Sequence, residues 1–121
     1  MRKGTPEYED ALADMVEILR DRARRRAPLT YTDLSRELAR RGHHVPPRFG
    51  AMPHLLADAT AQESPDGSAP LLSALVVLQA TGRPSGGFYE LARRLPYSRR
   101  EDDDSLWEAE LTRLERHYAS E

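Results

Sequence analysis

The stretch Pro70-Leu71-Leu72-Ser73-Ala74-Leu75-Val76-Val77-Leu78-Gln79-Ala80-Thr81-Gly82-Arg83-Pro84-Ser85-Gly86-Gly87-Phe88 decides how this chain is read. Leu71, Leu72, Leu75, Val76, Val77 and Leu78 form its only strongly apolar run, bounded by Pro70 and by Thr81-Gly82. A short run with paired valines and flanking turn residues predicts a buried strand rather than a helix. Gly82-Arg83-Pro84-Ser85-Gly86-Gly87 then predicts a flexible loop carrying one cation, before the chain returns to the core at Phe88 and Tyr89. A strand and a Gly-rich basic loop, following a helix pair, is the order in which a winged helix ends.

Working outward, Thr5-Pro6-Glu7 is a helix start, with Thr as cap, Pro at the first helical position and an acid in the first turn. Tyr8, Leu12, Met15 and Leu19 recur at helical spacing, and Val16 and Ala23 widen the stripe. The helix is predicted to run to about Arg26, where Ala27-Pro28 stops it. Its basic end suits the helix dipole and equally suits a phosphate. Leu29-Thr30-Tyr31 predicts a short strand leading into a helix over Thr32 to Arg41, closed by Gly42. Leu34 and Leu38 are its buried pair, with Arg36 and Arg40 opposite. A third helix is expected over Arg48 to Gln62, kinked or restarted at Pro53, with Phe49, Met52, Leu55, Leu56 and Ala59 inward. Beyond the loop, Phe88, Leu91, Ala92 and Leu95 predict a short helix ended by Pro96. Arg99-Arg100 and Glu101 to Asp104 read as a charged linker. Ser105 and Glu108 form a capping box for a last helix with an apolar stripe of Trp107, Leu111, Leu114 and Tyr118.

The expected fold is therefore α+β and mostly helical. It is a winged helix-turn-helix with a small β-hairpin wing plus N- and C-terminal helices. Residues 1–100 form the winged-helix domain, and residues 101–121 the acidic linker and amphipathic helix. A length of 121 residues supports one core without staples. The absence of cysteine excludes disulfides, zinc-thiolate sites and thiol catalysis. No stretch reaches membrane-spanning length, so no membrane partner and a cytoplasmic location are expected. The formal charge of −2 hides an asymmetry: residues 20–48 hold nine basic against three acidic side chains, and residues 101–121 two against eight. A basic middle favours a polyanion locally, whatever the net charge.

Several short elements resemble the winged-helix domain of alkylguanine alkyltransferases and alkyltransferase-like proteins. Leu29-Thr30-Tyr31-Thr32-Asp33-Leu34-Ser35 is similar to their T-Y-x-x-L-A opening. Pro47-Arg48-Phe49-Gly50 is similar to the A-R-x-V-G stretch beginning their recognition helix. Leu75-Val76-Val77, Thr81-Gly82 and Gly86-Gly87-Phe88 are similar to their R-V-V, G and G-G-Y elements. Together these span about residues 29–88. The family's P-C-H-R site is absent, its place taken by Leu72-Ser73-Ala74-Leu75. Alkyl transfer through a thiolate is therefore excluded. The resemblance implies that Arg48 stands where the family carries the Arg finger that fills the stack behind a flipped base. Against that stands a helix-start cation making a surface ion pair.

No nucleophile–base pair, carboxylate pair or phosphate-cradling loop is present, and no catalysis or cofactor is expected. His43, His44 and His54 offer nitrogen ligands but lack a partner at recognisable spacing, so no metal is expected. The chain thus reads as a non-catalytic DNA-binding protein, a small regulator or DNA-structure binder. Arg36, Arg40, Arg48, His54 and Arg83 are its candidate contacts to double-stranded DNA, and Arg93 and Arg94 follow nearby. Against this, the outward face of the presumed recognition helix (Ala51, His54, Asp58, Ala61, Gln62) is poor in cations. The alternative is a winged-helix interaction module that dimerises or docks a protein partner through Trp107, Leu111, Leu114 and Tyr118.

Overall fold

The computed structural model describes residues 1–119. Five helices, α1 (Pro6–Arg24), α2 (Tyr31–Arg40), α3 (Met52–Glu63), α4 (Gly86–Arg93) and α5 (Asp103–Tyr118), surround a short 3-10 turn, Leu72–Leu75. Two two-residue strands, β1 (Leu29–Thr30) and β2 (Val76–Val77), complete a mostly helical α+β fold. No helix among the described residues is long and apolar enough to cross a membrane.

The first helix begins where its cap predicts, with Thr5 Oγ1 accepting from the Tyr8 amide at 3.3 Å. It buries Tyr8, Ala11, Met15, Val16, Ile18, Leu19 and Ala23 against α3 and α5, leaving Leu12 only partly covered. Its end comes one turn before Pro28. Arg26 enters the left-handed region (φ 54°), and the Ala27 and Arg26 amides bond back to the carbonyls of Arg22 and Ala23. The same closure ends α2, where Gly42 (φ 91°) takes the left-handed position that a side chain would strain. Thr30 caps that helix by accepting from the Asp33 amide at 3.0 Å.

The third helix starts at Met52 rather than at Arg48, so Pro53 lies in its first turn instead of kinking it. Pro47 to Ala51 form a bend and turn, a consequence of two consecutive prolines directly before them. Phe49 accordingly leaves the expected inward arc and is 68% exposed, while Met52, Leu55, Leu56 and Ala59 are buried as expected.

The apolar run Leu71 to Val77 is entirely buried but is not one strand. Its first half coils into the 3-10 turn, and only Val76 and Val77 are extended. These pair in parallel with β1, Leu29 opposite Val76 and Thr30 opposite Val77. The hairpin wing is therefore corrected: after Val77 the chain closes a tight loop, with the Gly82 amide bonded to Leu78 O and the Leu78 amide to Arg83 O, each at 2.8 Å. It then enters α4 at once. A return strand has no room to form between that loop and the helix.

The charged linker expected over residues 99–104 is docked at Arg99 and Glu101, while Arg100 and residues 102–104 are exposed. Arg99, its side chain 11% exposed, donates Nε to Glu110 Oε1 at 2.6 Å and its terminal nitrogens to the carbonyls of Gly67 (2.7 Å), Ala69 (2.8 Å) and Tyr97 (3.2 Å). Glu110 is fully buried; its other oxygen accepts the Leu71 amide at 2.9 Å, and Arg113 also donates to it. Gly67 is required here, since a Cβ would lie 2.1 Å from the Pro96 carbonyl oxygen. Asp102, not Ser105, caps α5 by accepting from the Ser105 amide at 3.0 Å, because the acidic run sets a carboxylate three residues ahead of it.

The first half of the apolar stripe of α5 is turned by one residue from the expected one, while Leu114 and Tyr118 are buried as expected. Leu106, Glu110, Leu114 and Tyr118 are buried, whereas Trp107 and Leu111 are partly covered. The Trp107 indole N–H donates to Ala74 O at 2.9 Å, and the Tyr118 hydroxyl donates to Glu63 at 2.9 Å. The surface expected to pair with a second copy or a partner is thus used within the chain's own core.

Candidate nucleic-acid interface

A cleft of about 330 Å³ opens between the N-terminus of α2, the Pro47–Met52 turn and α4. Its polar lining comes from Tyr31, Arg48, Ser73, Ser85, Glu90 and Arg94, over an apolar floor that includes Met52, Leu56 and Phe88. The elements are held together by a hydrogen bond between the Tyr31 and Ser85 hydroxyls, 2.8 Å long. The parallel β1–β2 pair fixes the root of α2 beside the 3-10 turn that carries Ser73. The Arg48 guanidinium carbon lies 5.0 Å over the centre of the Tyr31 ring, a cation–π contact.

The ion pairing of the arginines separates them sharply. In α1 and just beyond its end, Arg20 forks onto Glu63 (2.6 and 2.7 Å), Arg22 meets Glu37 (2.8 Å), Arg25 meets Asp21 (2.9 Å) and Arg26 meets Glu115 (3.1 Å). Arg93 meets Asp103 at 2.7 Å. By contrast, Arg40, Arg48, Arg83 and Arg94 have no carboxylate partner among the described residues, even though Glu90 lines the cleft with two of them. Arg2, Arg100 and Arg116, near the ends of the chain and in the linker, are likewise without one.

The expected contact residues are only partly brought together. Arg48 lines the cleft, and Arg83 is exposed two residues before Ser85. Arg36 is engaged weakly with Asp33 at 3.6 Å. Arg40 lies nine residues beyond Tyr31 on α2, about 14 Å further along the axis. His54 lines a different groove, on the other side of the Pro47–Ala51 turn. The acid that weakened the recognition-helix reading, Asp58, turns toward α1, where it accepts the Tyr8 hydroxyl at 2.5 Å and pairs with Lys3 at 3.3 Å. Burial, then Asp58, pushes the Tyr8 phenol upward. Arg94 and Ser85 join the cleft without a periodic signal to announce them: one follows the end of α4, the other caps its start.

Ser73 is 6% exposed, and its hydroxyl has no hydrogen-bond partner among the described residues. A serine nucleophile needs a base within hydrogen-bond reach, and none is there. Metal chemistry finds no clustered ligands either: among the described residues no three His, Asp or Glu side chains gather. His43 is instead paired to Asp14 at 2.6 Å, a contact that holds the Asp14 carboxyl below its usual range.

Comparison with protein families, curated proteins and solved structures returns no match for this chain.

Proposed function

We propose that the chain is a non-catalytic DNA-binding protein of winged-helix type, with the Leu78–Ser85 loop standing where a hairpin wing would be. One observation carries this reading: among the described residues, Arg40, Arg48, Arg83 and Arg94 are left without carboxylates in a protein that pairs most of its other arginines. Uncompensated guanidinium groups on α2, in the turn before α3 and around α4 suit the phosphates of a duplex, which supply affinity without reading sequence. The partnerless hydroxyl of Ser73, in the place of the alkyltransferase cysteine, fits a binder rather than a transferase. Burial of Leu114 and Tyr118 within the chain favours the DNA reading over docking of a protein through the last helix, where Trp107 and Leu111 are partly covered.

The test is a titration of labelled duplex DNA followed by fluorescence anisotropy. Four phosphate contacts predict that log K falls against log salt with a slope of about −3.6, roughly a hundredfold loss between 50 and 200 mM. Absence of binding at 50 mM salt would falsify the reading.

A further inference from the structure

The turn between α2 and α3 sends consecutive side chains to opposite sides. Arg48 turns into the cleft and rests on Tyr31, while Phe49 emerges on the far side. Arg48 is thereby occupied by an aromatic partner, and the adjacent ring is the one presented to solvent. Phe49 is 68% exposed, one of three exposed large hydrophobic residues beside Met1 and Leu95. It lines a groove of about 530 Å³ together with Arg2, Lys3, His44 and His54, and no carboxylate lines that groove. A largely exposed phenyl ring is poorly explained by folding, and the groove beside it holds Arg2, Lys3 and two imidazoles, Lys3 also reaching Asp58 at 3.3 Å. It has the composition of single-strand binding surfaces, where cations track the backbone and an aromatic face takes a base. Apolar side chains at such positions also enter opened base steps of a duplex.

We propose that Phe49 is a stacking platform for an unpaired DNA base, with Arg2, Lys3, His44 and His54 holding the phosphates beside that base. The site is separate from the Tyr31–Arg48 cleft, and it gives the protein a preference for locally opened DNA over fully paired DNA. This rests on the DNA-binding reading above. The ring's partner is a base rather than a protein side chain because the charged side chains lining the groove, Arg2 and Lys3, are both cations and so complement a phosphate.

The experiment compares a fully paired duplex with the same duplex carrying a central unpaired bubble, titrated with the intact chain, F49A, F49Y and the R48A/R94A pair. The intact chain is expected to favour the bubble by about tenfold, the scale of one base–aromatic stack. F49A loses that preference and F49Y keeps it. R48A/R94A weakens both DNAs while leaving their ratio in place, which separates the ring from the cleft. Because Phe49 packs into no core, F49A should keep the urea midpoint of the intact chain, and that midpoint is measured alongside. Equal affinity of the intact chain for both DNAs, or an undiminished preference in F49A, overturns the proposal while leaving general DNA binding standing. Failure of every form to bind either DNA at 50 mM salt overturns both.

Discussion

Arg99 and Arg48 are the same residue in opposite circumstances. Arg99 is buried and gives its guanidinium to Glu110 and to three backbone carbonyls, tying the Gly67–Ala69 loop and the pre-α5 segment to α5. Arg48 is exposed, touches one aromatic face and has no anion. The first arrangement leaves nothing for an outside partner to bind and makes the fold depend on it. The second contributes little to the fold and keeps its charge available. An arginine count cannot distinguish them; the position of the carboxylates does.

The hardest way to break this contrast is at Glu110. Glu110→Ala leaves the buried Arg99 charge and the Leu71 amide without their acceptor, and should cost about 3–5 kcal/mol by urea denaturation. A loss below about 1 kcal/mol would mean that the buried network does not hold the fold. On the other side, Arg48→Ala with Arg94→Ala should leave stability within about 0.5 kcal/mol. The same pair should flatten the salt slope of duplex binding by about 1.8. An unchanged slope would remove the cleft from the interface.

Acid sharpens the contrast further. Arg20, with help from Tyr118, holds the Glu63 carboxyl below its usual range, and Arg113 does the same for Glu101. A depressed folded-state pKa contributes stability that is complete above the ordinary glutamate value, about 4.3, and is lost as pH falls through the folded value. Unfolding free energy should therefore drop between about pH 5 and pH 3, and Glu63→Gln should flatten that dependence. A flat profile in the intact chain would show that these pairs are not held in solution. The smallest effect belongs to Arg25→Ala. Its partner Asp21 is more than half exposed, so a change of about 0.3 kcal/mol or less is expected.

Much of the scaffold was legible. Thr5-Pro6 and Gly42 marked real helix ends, and Leu34, Leu38, Met52, Leu55 and Leu56 are core. The wing was not, because a short apolar run fixes burial but not partner: whether Val76 meets a return strand or Leu29 depends on distant chain. Phe49 was misread by starting the helical period at Arg48, ahead of Pro53, whereas Pro53 belongs to the first turn of a helix that begins at Met52. Glu110 carried a readable signal that the expected stripe passed over, since it falls in step with Leu106, Leu114 and Tyr118. An acid in an apolar row calls for a buried cation, and Arg99 was available. The cleft could not be read at all, because Tyr31, Ser73, Ser85 and Arg94 meet only once three separate segments have packed.

The parallel pairing of Leu29 with Val76 has a consequence in time as well as in space. Two parallel strands joined through α2, α3 and a surface loop are contacts of high sequence separation, closed only after the intervening chain has collapsed. Helices α1 and α3 meet across a comparable separation, as the Tyr8–Asp58 and Arg20–Glu63 contacts show, but over a broad apolar face rather than two residues. Because the strand pair seats α2 against the 3-10 turn, the cleft rests on the smaller of these two contacts. Amide exchange at Val77 should accordingly be faster than at Leu19 or Leu55, so that the wall of the cleft opens before the helical core.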